Sequence, residues 1–272
     1  MYYKIGNKIP VWDGKRINIL YDPETFYEAT GGSVSEDGDY KVHTFTSNGT
    51  FEITQQGTGE IEYLIVAGGG GSGSLRDSVA SGGGGAGGYL ADTKNDLEVD
   101  TYGVVVGNGG SAGWYNQNTS GGKGGDSSAL GLTATGGGGG GRGMNAPENG
   151  GSGGSGGGGG IGVSFPNGSG GAGTSGQGHN GAAADDDNSG GGGGAGSAAN
   201  GATAGSGKSN SITGTAITYA QGGAGRDKST DINAAAGTNG RGNGASGASG
   251  PGKNKNGATG GKGIVILRYK FK

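Results

Sequence analysis

The residue types that ordinarily carry catalysis are few in this chain and poorly grouped. Its 272 residues include two histidines, His43 and His179, and no cysteine. Ser175, His179 and Asp185 have the residue types of a nucleophile, a base and an orienting acid, but the sequence around them supplies nothing that orients a serine hydroxyl. Without cysteine, neither disulfides nor thiolate zinc sites can form. These observations favour a protein that is not an enzyme, and they predict no cofactor.

Three further motifs resemble chemical sites but lack the context that each site requires. Residues 202–209 fit a relaxed phosphate-binding loop, which needs a preceding strand and a following helix, whereas a glycine tract and a β-like segment flank them here. Residues 185–187 offer three carboxylates without the spacing of a calcium loop. Glu60 and Glu62 fall on one face of a predicted strand, which favours a solvent-facing pair over a glycosidase pair. We therefore predict no metal site.

Bulky side chains isolated in glycine-rich segments are better candidates for recognition. Large aromatic and cationic side chains on loops supply rigid contact area, and neighbouring amides add directional hydrogen bonds. We predict that they contact a receptor; the alternative is that they cover the end of the fold or a neighbouring subunit. The candidates are Trp114, Tyr115, Asn116, Arg142, Met144, Phe165 and His179.

Composition restricts the fold that positions these residues. Glycine accounts for 77 of the 272 residues, about four times its usual share of roughly 7%. Such a content is typical of disorder, yet a net charge of −3 lacks the self-repulsion that usually accompanies disorder. No Gly-X-Y period with abundant proline exists, which excludes collagen. Since no apolar run approaches about 20 residues and no signal peptide is recognisable, we expect no membrane insertion.

Glycine divides the chain into zones. Residues 1–67 contain eight glycines, residues 68–263 contain sixty-nine and residues 264–272 contain none. Asp13-Gly14 and Asn48-Gly49 are two-residue hairpin signals, so the first zone is predicted to be β structure. We predict an N-terminal module over 1–39 and a glycine-rich domain over 40–272.

Apolar strands run straight into glycine tracts at 61–71, 102–110 and 129–141. Because β and polyproline-II dihedral angles adjoin, a strand can continue as a helix with three residues per turn without reversing direction. An isolated helix of this kind has no internal hydrogen bonds, so the tracts must pack as a bundle whose inner members carry glycine on every side. The predicted fold class is mainly β: an N-terminal β-hairpin module, then a β-sheet framework carrying a bundle of polyglycine-II helices.

Residues 40–272 contain a series of distinctive segments in a fixed order: FTSNGTFEI at 45–53, YLIVAGGGG at 63–71, VVVGNGG at 104–110 and GKGIVILRY at 261–269. This series resembles the glycine-rich domain of bacteriophage tail-fibre and adhesin proteins, and is similar to the distal-tip adhesins of T-even phage long tail fibres. The resemblance implies a β framework with a polyglycine-II bundle, and loops at one end of the bundle that bind a bacterial receptor.

The resemblance and the loop residues together predict a phage virion protein, a tail-fibre tip or similar adhesin made in the host cytoplasm. Its expected partners are other virion or tail-fibre proteins and a bacterial outer-surface protein or glycan, with a homotrimer as one arrangement and without nucleic acid. Residues 1–39 do not resemble the attachment domain of those adhesins. The side chains predicted to attach them to the virion are Tyr2, Tyr3, Ile9, Trp12, Ile17, Ile19 and Tyr21.

Two other functions stay open at this point. The first is a purely structural virion component of the capsid, collar or tail that binds no receptor. The second is an ice-binding protein, which requires a flat face of regularly spaced threonines or other small residues; the irregular, charged tracts here argue against such a face.

Overall fold

The computed structural model describes residues 8–12, 17–21, 25–76, 79–95, 97–144, 147–163 and 166–272. In these residues all regular secondary structure is β: fourteen strands form five antiparallel sheets, and no helix there is long and apolar enough to cross a membrane. The mainly β fold class is confirmed. The N-terminal hairpin pairs β1 (Lys8–Trp12) with β2 (Ile17–Tyr21). It contains Ile9, Trp12, Ile17, Ile19 and Tyr21 of the attachment candidates, whereas Tyr2 and Tyr3 lie outside the described residues.

A five-stranded sheet forms the centre of the framework. Its last strand in sequence, β14 (Ile264–Lys270), lies in the middle, with Ile266 opposite Thr44 on one side and Leu64 on the other. The strand order is β4 (Ser33–Asp37), β5 (Tyr40–Phe45), β14 (Ile264–Lys270), β7 (Ile61–Val66) and β8 (Tyr89–Lys94).

Apolar side chains bury both faces of this sheet, which explains why β7 and β14 contain continuous apolar runs, at 63–66 and 264–267, rather than alternating patterns. One face packs on a three-stranded sheet of β3 (Glu28–Thr30), β6 (Gly49–Gln55) and β9 (Thr101–Val104). The shared core includes Phe45, Phe51, Ile65, Leu267 and Tyr269. The opposite face packs on Ile212 and Tyr219, beside the hairpin of β12 (Lys208–Asn210) and β13 (Ile217–Tyr219).

The strand predicted over 129–135 is wrong, because the chain reverses inside it. The structure has a hairpin there, β10 (Ser127–Ala129) with β11 (Leu132–Ala134). Both turn residues, Leu130 and Gly131, have positive φ, at 54° and 77°. A leucine in this conformation is uncommon, so residue preference alone gave no signal for the turn.

Beyond the framework the glycine tracts hydrogen-bond with a repeat of three residues. The N–H groups of Gly68, Gly71 and Ser74 donate to carbonyls at 125, 122 and 119, so three residues along one tract match three along its neighbour. The residues between them donate, with the same three-residue repeat, to carbonyls of two other segments, 255–261 and 82–85. A three-residue repeat is the geometry of polyproline-II-type helices. On this repeat we interpret the tracts as polyglycine II.

Inner tracts are surrounded by backbone. Segment 80–88 hydrogen-bonds to six other segments, which is the number of neighbours in a hexagonal array of rods. They are 67–73, 135–141, 155–161, 190–193, 242–248 and Gly223. A Cβ added at Gly84 would lie closer than 3.0 Å to the carbonyl oxygen of Gly70. The core of the bundle is therefore main chain, and glycine is required where tracts approach this closely.

Candidate functional site at the far end of the bundle

The bundle has two ends that differ in chemistry. At one end the tracts join the framework strands, as where β7 continues into Gly68. About eight residues further on, or roughly 25 Å at the rise of this helix type, a small buried cluster that includes Leu75, Ala80 and Ile161 closes the other end. We call the described loop residues beyond this cluster the far-end loops; they are 112–119, 142–144, 147–148, 162–163, 166–168, 184–188, 226–232 and 250–255.

The far-end loop at 114–119 presents two aromatic rings to solvent. Trp114 is 50% exposed and Tyr115 is 40% exposed. The turn beneath them is fixed by hydrogen bonds: the Trp114 N–H donates to Thr119 Oγ1 over 2.8 Å, and the Tyr115 N–H donates to Asn256 Oδ1 over 3.0 Å. Asn118 adopts a φ of 54° within the turn. The rings are thus exposed, while the backbone that carries them is tied to two other groups.

An ion pair underlies this turn. The Arg142 guanidinium lies 3.2 Å from the Glu148 carboxylate and also donates to the backbone oxygen of Asn118. Ser120 completes the connection, since its hydroxyl donates to Glu148 and accepts the Arg142 N–H over 3.0 Å. Arg142 thus contacts the aromatic turn from the neighbouring loop. We call Asn118, Ser120, Arg142 and Glu148 the turn network.

The structure groups some of the predicted receptor-contact residues and separates others. Trp114, Tyr115, Asn116, Arg142 and Met144 all lie on far-end loops, with Asn116 exposed and the Met144 N–H donating to Ile161 over 3.2 Å. Phe165 lies outside the described residues.

His179 lies at the opposite end of the bundle. Its N–H donates to Gly194, and its carbonyl accepts from Gly156, near the framework. The seven candidates therefore do not form one surface. Asp185 lies on a far-end loop, where its neighbour Ala184 donates to Gly168. His179 and Asp185 are consequently too far apart for a Ser175-His179-Asp185 set to assemble.

The framework and the bundle correspond to one known sequence family. Residues 46–270, from the end of β5 through the last residue of β14, match the family model of the glycine-rich domain. The chain belongs to the glycine-rich domain family. A search of curated proteins returned no significant match. The resemblance to a glycine-rich domain is confirmed over these residues, and the affiliation with phage tail fibres stays a prediction.

Charges on the far end of this glycine-rich domain are largely paired. Lys228 lies 3.1 Å from Asp187, and both Lys253 and Lys255 contact the carboxylate of Asp231. The two lysine hydrogen bonds lower the pKa of Asp231 to about 2. With Arg142 paired to Glu148 as well, this end offers polar and aromatic groups rather than a field of one sign.

Sequence reasoning identified the aromatic residues of the glycine-rich domain but missed the groups that hold them. Ser120 and Glu148 are 28 residues apart, and Tyr115 and Asn256 are 141 apart. Only the packing of the tracts brings these pairs together. No local motif marks Glu148 or Asn256 as a partner of the turn.

Neutralising Glu148 should loosen the aromatic turn. Glu148→Gln removes the charge that holds Arg142 and Ser120, and we expect Trp114 to become more accessible to acrylamide quenching. A partly exposed pair of this kind contributes about 1 kcal/mol, so the fold should persist. The measurement uses a Trp12→Phe background, which leaves Trp114 as the sole tryptophan. Glu52→Gln, on the exposed side of β6, is the control; equal quenching in both variants would contradict the role of the turn network.

Proposed function

We propose that this glycine-rich domain is a bacteriophage virion protein, a tail-fibre tip or similar adhesin, whose far-end loops bind a receptor on the bacterial surface. The observation that carries the proposal is the pair of exposed rings at Trp114 and Tyr115, held on a fixed turn at the end of a rigid bundle. The ordered series of motifs shared with tail-fibre domains supports the phage affiliation. The proposal includes no catalytic step and places the chain in the virion.

Rigidity makes the far end suited to binding. Exposed aromatic rings bury a large area when they meet a partner, and they lose little conformational freedom when the backbone beneath them is already fixed. The Trp114 N–H bond to Thr119 and the Arg142 contact with Asn118 provide that fixation. A receptor would therefore meet a preformed surface.

The paired charges favour an uncharged polar ligand. Arg142, Lys228, Lys253 and Lys255 each have a carboxylate partner in the far-end loops, so at these four positions an anionic ligand would have to displace an existing ion pair. Aromatic rings beside Asn116 are suited to the apolar face and the hydroxyl groups of a neutral sugar. Within the proposal, the receptor group is thus a neutral surface glycan, and a protein receptor is the other outcome.

Within the proposal, attachment to the virion occurs at the framework end of the domain, opposite the far-end loops. Residues 28–37 of the predicted N-terminal module, residues 1–39, form β3 and β4 within the framework sheets, so a partner bound through this module would join the chain on the framework side. Other virion or tail-fibre proteins are the proposed partners there. This arrangement leaves the far-end loops free to face the host.

Competition with phage adsorption tests the proposal. The purified chain should bind host cells and reduce phage adsorption, and the double variant Trp114→Ala/Tyr115→Ala should bind about ten-fold more weakly or worse, as expected on losing central aromatic contacts. Val99→Ala, a change at a framework residue that is 59% exposed, is the matched control and should bind normally. Purified neutral polysaccharide should compete with the cells for binding.

Each contrary result has a separate meaning. If the wild-type chain neither binds cells nor competes with phage, the adhesin proposal fails and a purely structural virion role gains. If it binds but the aromatic double variant binds equally well, the far-end site fails. Competition by solubilised outer-membrane protein, and not by polysaccharide, would replace the glycan with a protein receptor.

A further inference from the structure

Nine asparagines in this chain are followed directly by glycine, and this dipeptide is chemically unstable. The glycine backbone nitrogen attacks the side-chain carbonyl carbon, a C–N bond forms in a five-membered succinimide, and the side-chain nitrogen leaves as ammonia. Water then opens the ring to aspartate or isoaspartate, so no oxidant or cofactor is required. From sequence alone the nine are equivalent: Asn48, Asn108, Asn149, Asn167, Asn180, Asn200, Asn239, Asn243 and Asn256.

In seven of these asparagines a hydrogen bond restrains the side-chain amide, which must rotate before succinimide can form. In each, the side-chain oxygen accepts a hydrogen bond of 2.8–3.1 Å from a backbone N–H elsewhere in the chain. The N–H donors are Val106 to Asn48, Ser169 to Asn149, Gly162 to Asn167, Gly173 to Asn180, Lys262 to Asn239, Gln221 to Asn243 and Tyr115 to Asn256.

In six of the seven, the attacking nitrogen is held as well. The Gly150 N–H donates to the carbonyl of Ser169, the same residue whose N–H binds Asn149. Asn239-Gly240 and Asn243-Gly244 form the same two-bond ring with Lys262 and Gln221. Asn167, Asn180 and Asn256 follow a related pattern. The N–H of the next glycine donates to the carbonyl of a residue that lies two positions before the residue whose N–H binds the asparagine side chain. We call these six pairs the clamped pairs.

Succinimide formation in a clamped pair requires both hydrogen bonds to open. Each bond contributes about 1 kcal/mol net, so two add about 2 kcal/mol to the barrier. A barrier higher by about 2 kcal/mol slows the reaction about thirty-fold.

Asn108 and Asn200 are exposed, and within the described part of the chain no hydrogen bond holds either side chain. Gly109 nevertheless sits in a packed tract, where an added Cβ would fall closer than 3.0 Å to the carbonyl oxygen of Gly260. The backbone that follows Asn108 is therefore packed against a neighbouring tract. Gly201 has nothing within 4 Å of its Cβ position and a φ of 52°.

Asn200 also lies at a tight turn, where its N–H and carbonyl exchange bonds of 3.1 and 2.9 Å with Thr203. The Gly201 nitrogen follows at the tip of this turn, and no described group accepts a bond from it. We propose that Asn200 is the site at which this chain undergoes spontaneous deamidation in the folded state. The product carries one more negative charge, and its isoaspartate form lengthens the backbone between residues 200 and 201 by one atom.

Peptide mapping by mass spectrometry after prolonged incubation of the folded, full-length chain at mildly alkaline pH tests this assignment. Conversion at Asn200 should exceed conversion at each clamped pair by about thirty-fold. A denatured sample should convert all nine pairs at comparable rates, which attributes the selectivity to the fold. On ion exchange, Asn200→Gln should remain a single species while the wild type acquires an acidic form.

Two results would overturn the proposal. One is conversion at any of the other eight Asn-Gly pairs as fast as at Asn200 in the folded chain. The other is an intact Asn200 in a folded sample whose denatured control has converted. Neither result bears on receptor binding, which is measured separately.

Discussion

Replacing Gly158 by alanine should lower the free energy of unfolding by about 3 kcal/mol, which is large for one methyl group. The added carbon would fall closer than 3.0 Å to the carbonyl oxygen of Gly190. This clash is relieved only if the tracts move apart. Their separation stretches two hydrogen bonds of 2.8 Å, from the Gly158 N–H to Gly83 and from the Gly141 N–H to Gly158. Segment 155–161 is enclosed by other tracts, so no flexible side chain can yield. Valine at this position should be worse.

Urea denaturation with linear extrapolation measures this effect. Gly59→Ala and Gly103→Ala are the controls, because their Cβ positions have nothing within 4 Å and their φ angles are not positive. Alanine there restricts the unfolded chain and should stabilise by about 0.4–1 kcal/mol, the opposite sign. If Gly158→Ala fails to fold, Gly151→Ala gives an intermediate case, since its Cβ would lie 3.2 Å from the Gly139 nitrogen. Equal denaturation midpoints at 158 and 103 would refute a backbone core.

Acidification should destabilise the framework through His43, which is fully buried on β5. Its Nδ1 lies 2.8 Å from the Gly31 carbonyl and its Nε2 lies 3.2 Å from the Tyr269 hydroxyl, which accepts the Ala29 N–H. The neutral imidazole fits these partners, with Nδ1–H donating to Gly31 and Nε2 accepting from Tyr269. Protonation turns Nε2 into a donor, so the Tyr269 O–H loses its acceptor and its oxygen must accept a second hydrogen bond. Protonation therefore conflicts with the existing network.

Burial lowers the pKa of His43 below 6.5, the Gly31 hydrogen bond opposes this shift, and the positive charge of Lys41 adds to it. Glu28 is the charged group that acts on the neighbouring Tyr269. Because the folded pKa lies below the unfolded one, the unfolded chain binds more protons in this window. Stability should be complete above pH 6.5, fall as the pH drops below that value, and level off once the folded pKa is passed. Each unit of depression corresponds to about 1.4 kcal/mol.

Denaturation midpoints measured from neutral pH downward reveal this dependence. The loss below pH 6.5 should disappear in His43→Gln, which cannot gain a proton, although that variant starts from a lower stability. His179→Gln removes the exposed histidine and should keep the wild-type slope. The assignment to His43 is refuted if the slope survives in His43→Gln.

The framework was largely predictable from sequence because its signals are local. Asn48-Gly49 marks the turn into β6, and continuous apolar runs mark β7 and β14. The 127–134 hairpin escaped prediction because its turn places Leu130 in a left-handed conformation that its side chain disfavours. In the far-end loops, bulky residues amid glycine were visible from type alone. The groups that support them were not visible, since Arg142 contacts Ser120, which is 22 positions earlier in the sequence.

The central position of β14 also governs when the molecule can form. Its neighbours β5 and β7 are synthesised early, but the strand between them follows the whole glycine bundle in the chain. Until β14 leaves the ribosome, β5 and β7 cannot pair through their shared partner. The two apolar cores, one on each face of the sheet, also lack the side chains that β14 contributes. A chain that stops before β14 lacks the strand that joins the β4–β5 pair to the β7–β8 pair. We therefore expect the five-stranded sheet to assemble only after β14 has been synthesised.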